Sequence, residues 1–304
     1  LDACADAIVY EQGGALHLLD PERGEAEELV INVRGDLNWA RPRWETARAT
    51  QLSNPQISPT GQRAVFEYRG DIFTVPKEHG SWRAITQSSD AADRAPVWSP
   101  DGQHIAYFSD RSGEYQLMIV DQKGLEEPRA ISLPDPTYYY GPVWSPDGKY
   151  IAFTDTDYNL WYVNVETEEA AIADTDRYAH PNREMKPVWS PDSKWIAYAR
   201  QQDNHFKTIC AYSIDEKKVY TLTNDLADAL TPAWDANGKY LYFLASTNYG
   251  LNTGWLDMSS YDPDITRALY LIVLDDETDS PLRPRIDDEP NPDAGDDTND
   301  KTDS

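Results

Sequence analysis

Apolar residues in this chain fall in short alternating runs, and polar turn residues separate the runs. One set of runs is Ala64-Val65-Phe66, Ile105-Ala106-Tyr107-Phe108, Ile151-Ala152-Phe153, Ile196-Ala197-Tyr198 and Leu241-Tyr242-Phe243. A second alternating run follows, as in Tyr115 to Val120, Leu160 to Val165 and Ile209 to Ile214. A weaker segment then closes the unit, such as Arg83-Ala84-Ile85-Thr86 or Val219-Tyr220-Thr221-Leu222-Thr223. Runs this short, rich in β-branched and aromatic residues and bounded by Pro, Gly, Asp and Ser, predict strands.

The runs belong to a repeat. Pro96-Val97-Trp98-Ser99-Pro100-Asp101-Gly102 returns at Pro142–Gly148 and, ending in Ser193, at Pro187–Ser193. Degenerate copies begin at Pro55 and Pro232, and the five leading prolines are spaced by 41, 46, 45 and 45 residues. Four short strands per unit of about 40–50 residues is the pattern of a β-propeller blade. The chemistry of the heptapeptide fits a hairpin. Pro presets the first turn position, Asp bonds back to the backbone, and Gly takes the positive φ that reverses the chain. The Trp before it is expected between adjacent blades.

Ala7-Ile8-Val9-Tyr10 and Ala15–Asp20 match the second and third strands of a unit. Aligning Ile8 with Ile105 puts the leading Pro before the first residue, so this blade is expected to lack its inner strand. The fold class expected is therefore all-β. About six four-stranded blades are visible, five with the motif and one lacking its inner strand, in what reads as an incomplete seven-bladed ring. An unclosed sheet edge is a pairing hazard, which favours blades missing upstream over a ring of six.

Composition changes this picture at the ends. The 304 residues hold 53 Asp plus Glu against 27 Lys plus Arg, a net charge of −26. Such a chain does not bind nucleic acid, whose affinity comes from cations that displace counterions. An anionic membrane surface is disfavoured for the same reason. No apolar run approaches the roughly 20 residues that span a bilayer. Eight of the acids lie between Ile286 and Ser304 beside one base, Lys301. With so little apolar surface, that segment reads as a disordered acidic linker, leaving residues 1–285 as the propeller. Leu1 is not Met and Leu1–Ile8 lacks the basic start of a signal peptide, so the chain reads as part of a larger protein. Cys4 and Cys210 are too few for a disulfide framework.

The residues offer no catalytic constellation. Gly-x-Ser-x-Gly, His-Glu-x-x-His and phosphate-binding Gly loops are absent, and the five histidines have no ligand partner at metal spacing. Asp155-Thr156-Asp157 and Asp174-Thr175-Asp176 lack the Gly and terminal Glu of a calcium loop. The reading assigns no catalytic residue, no metal and no cofactor. What remains is the channel mouth, where loops linking one blade to the next gather: Ser88–Ala95, Pro134–Gly141, Asp174–Lys186 and Asn224–Thr231. They carry Arg94, Tyr138, Tyr139, Tyr140, Arg177, Tyr178, Arg183, Lys186 and Asp228. Against so acidic a chain, the four cations form a candidate positive rim for a peptide carboxylate. The tyrosine triplet is either a stacking lip or packing between blades.

Several longer stretches are similar to tricorn-type serine peptidases. They are Asp36–Glu45 (DLNWARPRWE), Arg63–Pro76 (RAVFEYRGDIFTVP) and Ala245–Ser260 (ASTNYGLNTGWLDMSS). The heptapeptide repeat itself also resembles the Tol-system propeller and, at fold level, prolyl-oligopeptidase-type propellers. In the tricorn family two propellers, of six and seven blades, precede a PDZ-like domain and a Ser/His-based catalytic domain. The resemblance implies a non-catalytic propeller that gates peptides or unfolded polypeptide toward a catalytic domain outside this chain. It also implies a homo-oligomeric parent and favours the cytoplasm over export. A stand-alone Tol-like scaffold that docks a protein partner is the alternative.

Overall fold

The Ser-Pro-Asp-Gly turns set the geometry first. The computed structural model describes residues 2–4, 7–12, 14–32, 35, 46–88, 90–178, 185–248 and 266–283. In it Ser99 Oγ and the Gln103 amide both donate to Asp101 Oδ1, at 2.5 and 2.9 Å. The same two bonds reach Asp147 from Ser145 and Lys149, and Asp192 from Ser190 and Lys194. Gly61, Gly102, Gly148 and Gly238 then take φ of 68–74°, and Ser193 takes 62° in the same position. Each turn closes a hairpin at a fixed point of the repeat.

Six antiparallel sheets of three or four strands result, each a simple meander. The first holds β1 (Asp2–Ala3), β2 (Ile8–Gln12), β3 (Ala15–Asp20) and β4 (Glu25–Leu29). The second holds β5 (Ser53–Ile57), β6 (Arg63–Tyr68), β7 (Asp71–Pro76) and β8 (Arg83–Ala84). The third holds β9 (Asp93–Trp98), β10 (His104–Ser109), β11 (Gln116–Asp121) and β12 (Arg129–Ile131). The fourth holds β13 (Tyr140–Trp144), β14 (Tyr150–Thr154), β15 (Asn159–Asn164) and β16 (Ala170–Thr175). The fifth holds β17 (Val188–Trp189), β18 (Trp195–Gln201), β19 (Lys207–Ser213) and β20 (Lys218–Thr221). The sixth holds β21 (Asp228–Trp234), β22 (Tyr240–Ser246) and β23 (Ala268–Val273). The arrangement is all-β and consistent with propeller blades.

The expected absence of an inner strand in the first sheet is corrected. β1 occupies that place, pairing Asp2 with Val9 and Ala3 with Ile8. The alignment had assumed a turn as long as that between Trp98 and Ile105, which are paired in the third sheet. The turn between Ala3 and Ile8 is shorter, closed by Cys4 N donating to Ala7 O at 2.9 Å. The end of an inner strand therefore fits within the first residues. The expected joint at 36–45, the end of the insert at 249–260 and the acidic segment 286–304 lie outside the described residues.

The leading proline of four of the five motifs deforms the inner strand. Proline has no N–H for the ladder. The residue before it swings to a left-handed φ: Asn54 49°, Ala95 51°, Gly141 53° and Thr231 56°. The pairing register shifts across each of these positions. Such a bulge lets the strand begin earlier than the motif, so Arg94, Tyr140 and Asp228 sit in β9, β13 and β21 rather than in loops.

Burial follows from two apolar faces per sheet. Trp98, Ile105, Tyr107, Met118 and Val120 of the third sheet pack on Val65, Ile72 and Ile85 of the second. Its other face, with Ala106, Phe108, Leu117 and Ile119, packs on Ile151, Phe153, Trp161 and Val163 of the fourth. Two further clusters join the fourth to the fifth and the fifth to the sixth. The motif tryptophans do sit in these seams. Trp189 and Trp234 donate Nε1–H across them, to Val143 O and Val188 O, each at 3.1 Å. Trp98 and Trp144 have the same ring position, but their buried Nε1 groups have no hydrogen-bond partner.

Two predictions come from these turns and seams. Trp189→Phe removes a cross-seam bond worth roughly 1 kcal/mol, whereas Trp144→Phe removes none. Urea denaturation of both is expected to show Trp189→Phe as the more destabilising by about that amount. The second concerns acid. The Ser99 hydroxyl and the Gln103 amide hold the Asp101 carboxyl below its ordinary range. Burial opposes the same shift at Asp147, but the Ser145 and Lys149 bonds prevail. Groups lowered in this way stabilise the fold above about pH 4, and that contribution is lost as pH falls through their folded values. An Asp101→Asn/Asp147→Asn chain is therefore expected to lose less stability between pH 6 and pH 3 than the native chain, measured as urea midpoints.

Candidate functional site

In each meander the inner strand starts on the side opposite its Ser-Pro-Asp-Gly turn. The segments between sheets therefore share one mouth, and there the sequence-predicted residues are found. Arg94 is the second residue of β9 and lies under the segment that leads into β13. Its Nη2 donates to Tyr139 O at 2.7 Å, and its guanidinium carbon is 3.2 Å from the Tyr138 ring centroid and 4.4 Å from that of Tyr115. Tyr138 in turn meets Tyr115 edge-on at 5.1 Å and Tyr140 at 4.9 Å. A cation held between aromatic faces contributes about 0.5–2 kcal/mol, so this cluster is a rigid block.

The tyrosine triplet divides its tasks. Tyr139 is fully buried, stacks on Phe108 and donates its hydroxyl to Asp135 O at 2.7 Å. Burial pushes its phenol up to about 12. Tyr138 remains 39% exposed and presents a ring face and hydroxyl at the mouth. Burial also raises the Tyr138 phenol, so both tyrosines are neutral donors at physiological pH. Tyr139 is packing between the third and fourth sheets, while Tyr138 is the part of the lip that a ligand can touch.

The other predicted residues are scattered along the same mouth. Arg177 pairs through Nη1 with Asp203 of the fifth sheet, and both are solvent-exposed. Tyr178 packs beside His205 at 4.5 Å, and its carbonyl accepts from Gln201 Nε2 at 3.0 Å. Lys186 is exposed. Arg183 lies outside the described residues. Asp228 is buried, accepting from the Lys207 amide at 3.0 Å and pairing with Arg267 at 2.9 Å. The structure thus brings Arg94, Tyr138, Tyr139 and Tyr140 together and leaves Arg177 and Lys186 as separate contributors.

Sequence reasoning missed the buried network behind this mouth. Asp174 Oδ2 accepts from Tyr198 Oη at 2.6 Å and from Arg200 Nη1 at 2.8 Å, tying the fourth sheet to the fifth. Burial and the Asp174 charge push the Tyr198 phenol far up. Asp155 is equally occupied, accepting from the Asp157 and Asn159 amides, Asn159 Nδ2 and Trp161 Nε1. These aspartates come from the two Asp-Thr-Asp steps considered for calcium, and both are satisfied by protein donors. The available signal was the repeat itself. Asp174 and Arg200 stand at the mouth-side ends of β16 and β18, in adjacent sheets.

Residues 52–304 match the family described as the tricorn protease second β-propeller domain. The chain belongs to that family. Its match begins immediately before β5, so the first sheet lies outside the matched residues. A tricorn protease homolog from Saccharolobus solfataricus is 24% identical over 276 residues, covering 88% of this chain and 24% of its own length. An uncharacterized Bacillus subtilis peptidase, YuxL, is 30% identical over 64% of this chain and 29% of its own. This tricorn-family chain therefore spans about a quarter of those relatives. Among solved structures, the tricorn protease aligns over 92% of this chain and 27% of its own, with TM-score 0.63 and 18% identity. A putative TolB from Agrobacterium tumefaciens aligns over 73% of this chain and 77% of its own, with TM-score 0.51 and 18% identity. At such identities both likenesses concern the fold.

The buried pair gives a test of what holds this mouth. Asp174→Ala leaves Arg200 charged and unpaired, and its side chain is only 19% exposed. The expected cost is roughly 3 kcal/mol, against about 0.5 kcal/mol for Arg177→Ala at the exposed pair, measured by urea unfolding.

Proposed function

We propose that this chain is a peptide-guiding propeller of a tricorn-like serine peptidase, with the catalytic residues elsewhere in the parent protein. The observation that carries the reading is the Arg94–Tyr115–Tyr138–Tyr140 block at the mouth of a tricorn-family propeller domain. An extended peptide offers carbonyls, amides and apolar side chains. A fixed lip of neutral tyrosines meets those groups by stacking and hydrogen bonding without demanding a sequence. Rigidity matters because a lip already ordered loses little entropy when a peptide arrives. Arg177, already paired with Asp203, and the exposed Lys186 lie along the same rim.

The ring itself is completed, in this reading, by further blades of the parent chain. The outward face of the second sheet is apolar and open, with Ile57 75% and Trp82 52% exposed. The outward face of the sixth carries Leu269 at 65%. Faces of this kind are what a neighbouring blade covers in every internal seam.

The gating role is tested in the full-length parent by Tyr138→Ala, with kcat/KM measured on a long unfolded peptide and on a dipeptide amide. A selective fall of about threefold or more for the long substrate is expected. An equal change for both, or none, refutes the role of the lip. The 304-residue chain alone is expected to hydrolyse neither substrate, and serine-inhibitor-sensitive turnover by it would overturn the assignment of catalysis elsewhere.

A further inference from the structure

The opposite mouth, on the side of the Ser-Pro-Asp-Gly turns, holds a second feature. Between the third and fourth sheets a cleft of about 720 Å³ runs from the turns at Asp101 and Asp147 to the loop between β11 and β12. Three features open it. The Trp144 indole, like that of Trp98, lacks the cross-seam bond that Trp189 and Trp234 make. At the next seam Ser193 Oγ accepts from the Asp147 amide at 3.0 Å and clasps the two turns together. Gly148 holds the position of Ser193 at this seam, as Gly102 and Gly238 do in their own turns, and has no hydroxyl to offer.

The third feature is the outer loop. Residues 122–128 join β11 to β12, against the shorter 165–169 and 214–217 in the fourth and fifth sheets. Asp121 organises the longer loop by accepting from the amides of Lys123, Leu125 and Glu126, each at 2.8 Å. Gly124 lets it lie on the second sheet, since a Cβ there would meet Ile85 O at 2.8 Å. The loop so anchored carries Glu126 and Glu127 to the rim of the cleft.

The lining holds four carboxylates against Arg129 and His104. Trp144, Ile119 and Val165 make an apolar wall, and the rim has Glu126, Glu127, Asp101 and Asp147. The last two carboxyls are held below their ordinary range and stay ionised at neutral pH. Arg129, the cation in the lining, is paired with Glu168 at 3.7 Å. We propose that this cleft binds the basic side chain of an extended polypeptide, an arginine or lysine. The aliphatic stem lies on Trp144 and the cationic head sits between Glu126 and Glu127. The site lies on the face away from Tyr138 and does not rest on the gating role of that lip.

The test is calorimetric titration of the chain with acetyl-Ala-Arg-Ala-amide and with its neutral citrulline counterpart. Binding of the arginine peptide is expected, weakened about tenfold or more by citrulline. Glu126→Gln/Glu127→Gln and, separately, Gly148→Ser are each expected to weaken it about fivefold. A Gly148 Cβ would lie 4.0 Å from Pro100, so Gly148→Ser has room, and the strain of its φ of 74° is of the kind Ser193 already bears at 62°. Asp276→Asn/Glu277→Gln removes two exposed acids beyond β23 and is expected to change affinity by less than about twofold. Tyr138→Ala is expected to leave it unchanged. The proposal is overturned by no binding, by equal binding of citrulline, or by equal loss in the two acid-removal variants, the last meaning only general attraction to an acidic protein. The glutamine double variant alters surface side chains alone, so it decides the matter even where Gly148→Ser fails to fold.

Discussion

A sheet that is apolar on both faces has no stable existence alone, and this constraint organises the molecule. Residues of the third sheet alternate between the cluster shared with the second and the cluster shared with the fourth. Neither face is a solvent face, so adjacent sheets stack face to face. Fully burying each Val, Leu, Ile or Phe in such a seam contributes about 1.5–3 kcal/mol, and the seams bury several apiece. By the same logic the exposed Ile57, Trp82 and Leu269 mark the two faces of the stack that the described residues leave uncovered. No described residue before Ser58 is buried, and the family match also starts after the first sheet.

Much of this was legible from the sequence because the determinants are local. The Pro-Val-Trp-Ser-Pro-Asp-Gly step fixes its own turn through bonds between residues two to four apart, as Asp101 does with Ser99 and Gln103. The alternation of Ile105-Ala106-Tyr107-Phe108 assigns each side chain to one seam or the other without reference to a partner. What escaped was whatever depends on turn length or on distant pairing. β1 was missed because a shorter turn shifts the inner strand relative to the repeat. Three strand starts were placed too late because the bulge before Pro96, Pro142 and Pro232 has no signature other than the proline itself.

The candidate site shows the same division. Tyr138, Tyr139 and Tyr140 were legible as a triplet, but alternation alone does not say which ring is buried. Tyr139 takes the buried position because the strand approach aims it at Phe108 and Phe153, which leaves Tyr138 over Arg94. The charge of Arg94 reads as a rim cation in sequence. In the structure it is spent on Tyr139 O and two aromatic faces. Asp174 and Arg200 were hidden for a different reason. They are 26 residues apart, and only the docking of one sheet on the next brings them to 2.8 Å.

Repetition gives the family its architecture, and departures from it give this chain its individuality. Internal seams share a Trp at the same height and a turn at the same level, so any bond missing from one seam is visible by comparison with the next. The seam between the fourth and fifth sheets has both the indole bond and the Ser193 clasp. The seam between the fifth and sixth has the indole bond from Trp234. The seam between the third and fourth has neither bond, a lack it shares with the seam between the second and third, where Trp98 is unpartnered and Gly102 holds the clasp position. What sets it apart is the β11–β12 loop, the longest of the three compared, whose Glu126 and Glu127 line the opening. A seam without these two bonds forgoes a few kcal/mol at most, which the adjoining clusters absorb. A cleft is therefore cheap to place in a propeller seam, whereas moving the seam itself disturbs two sheets at once.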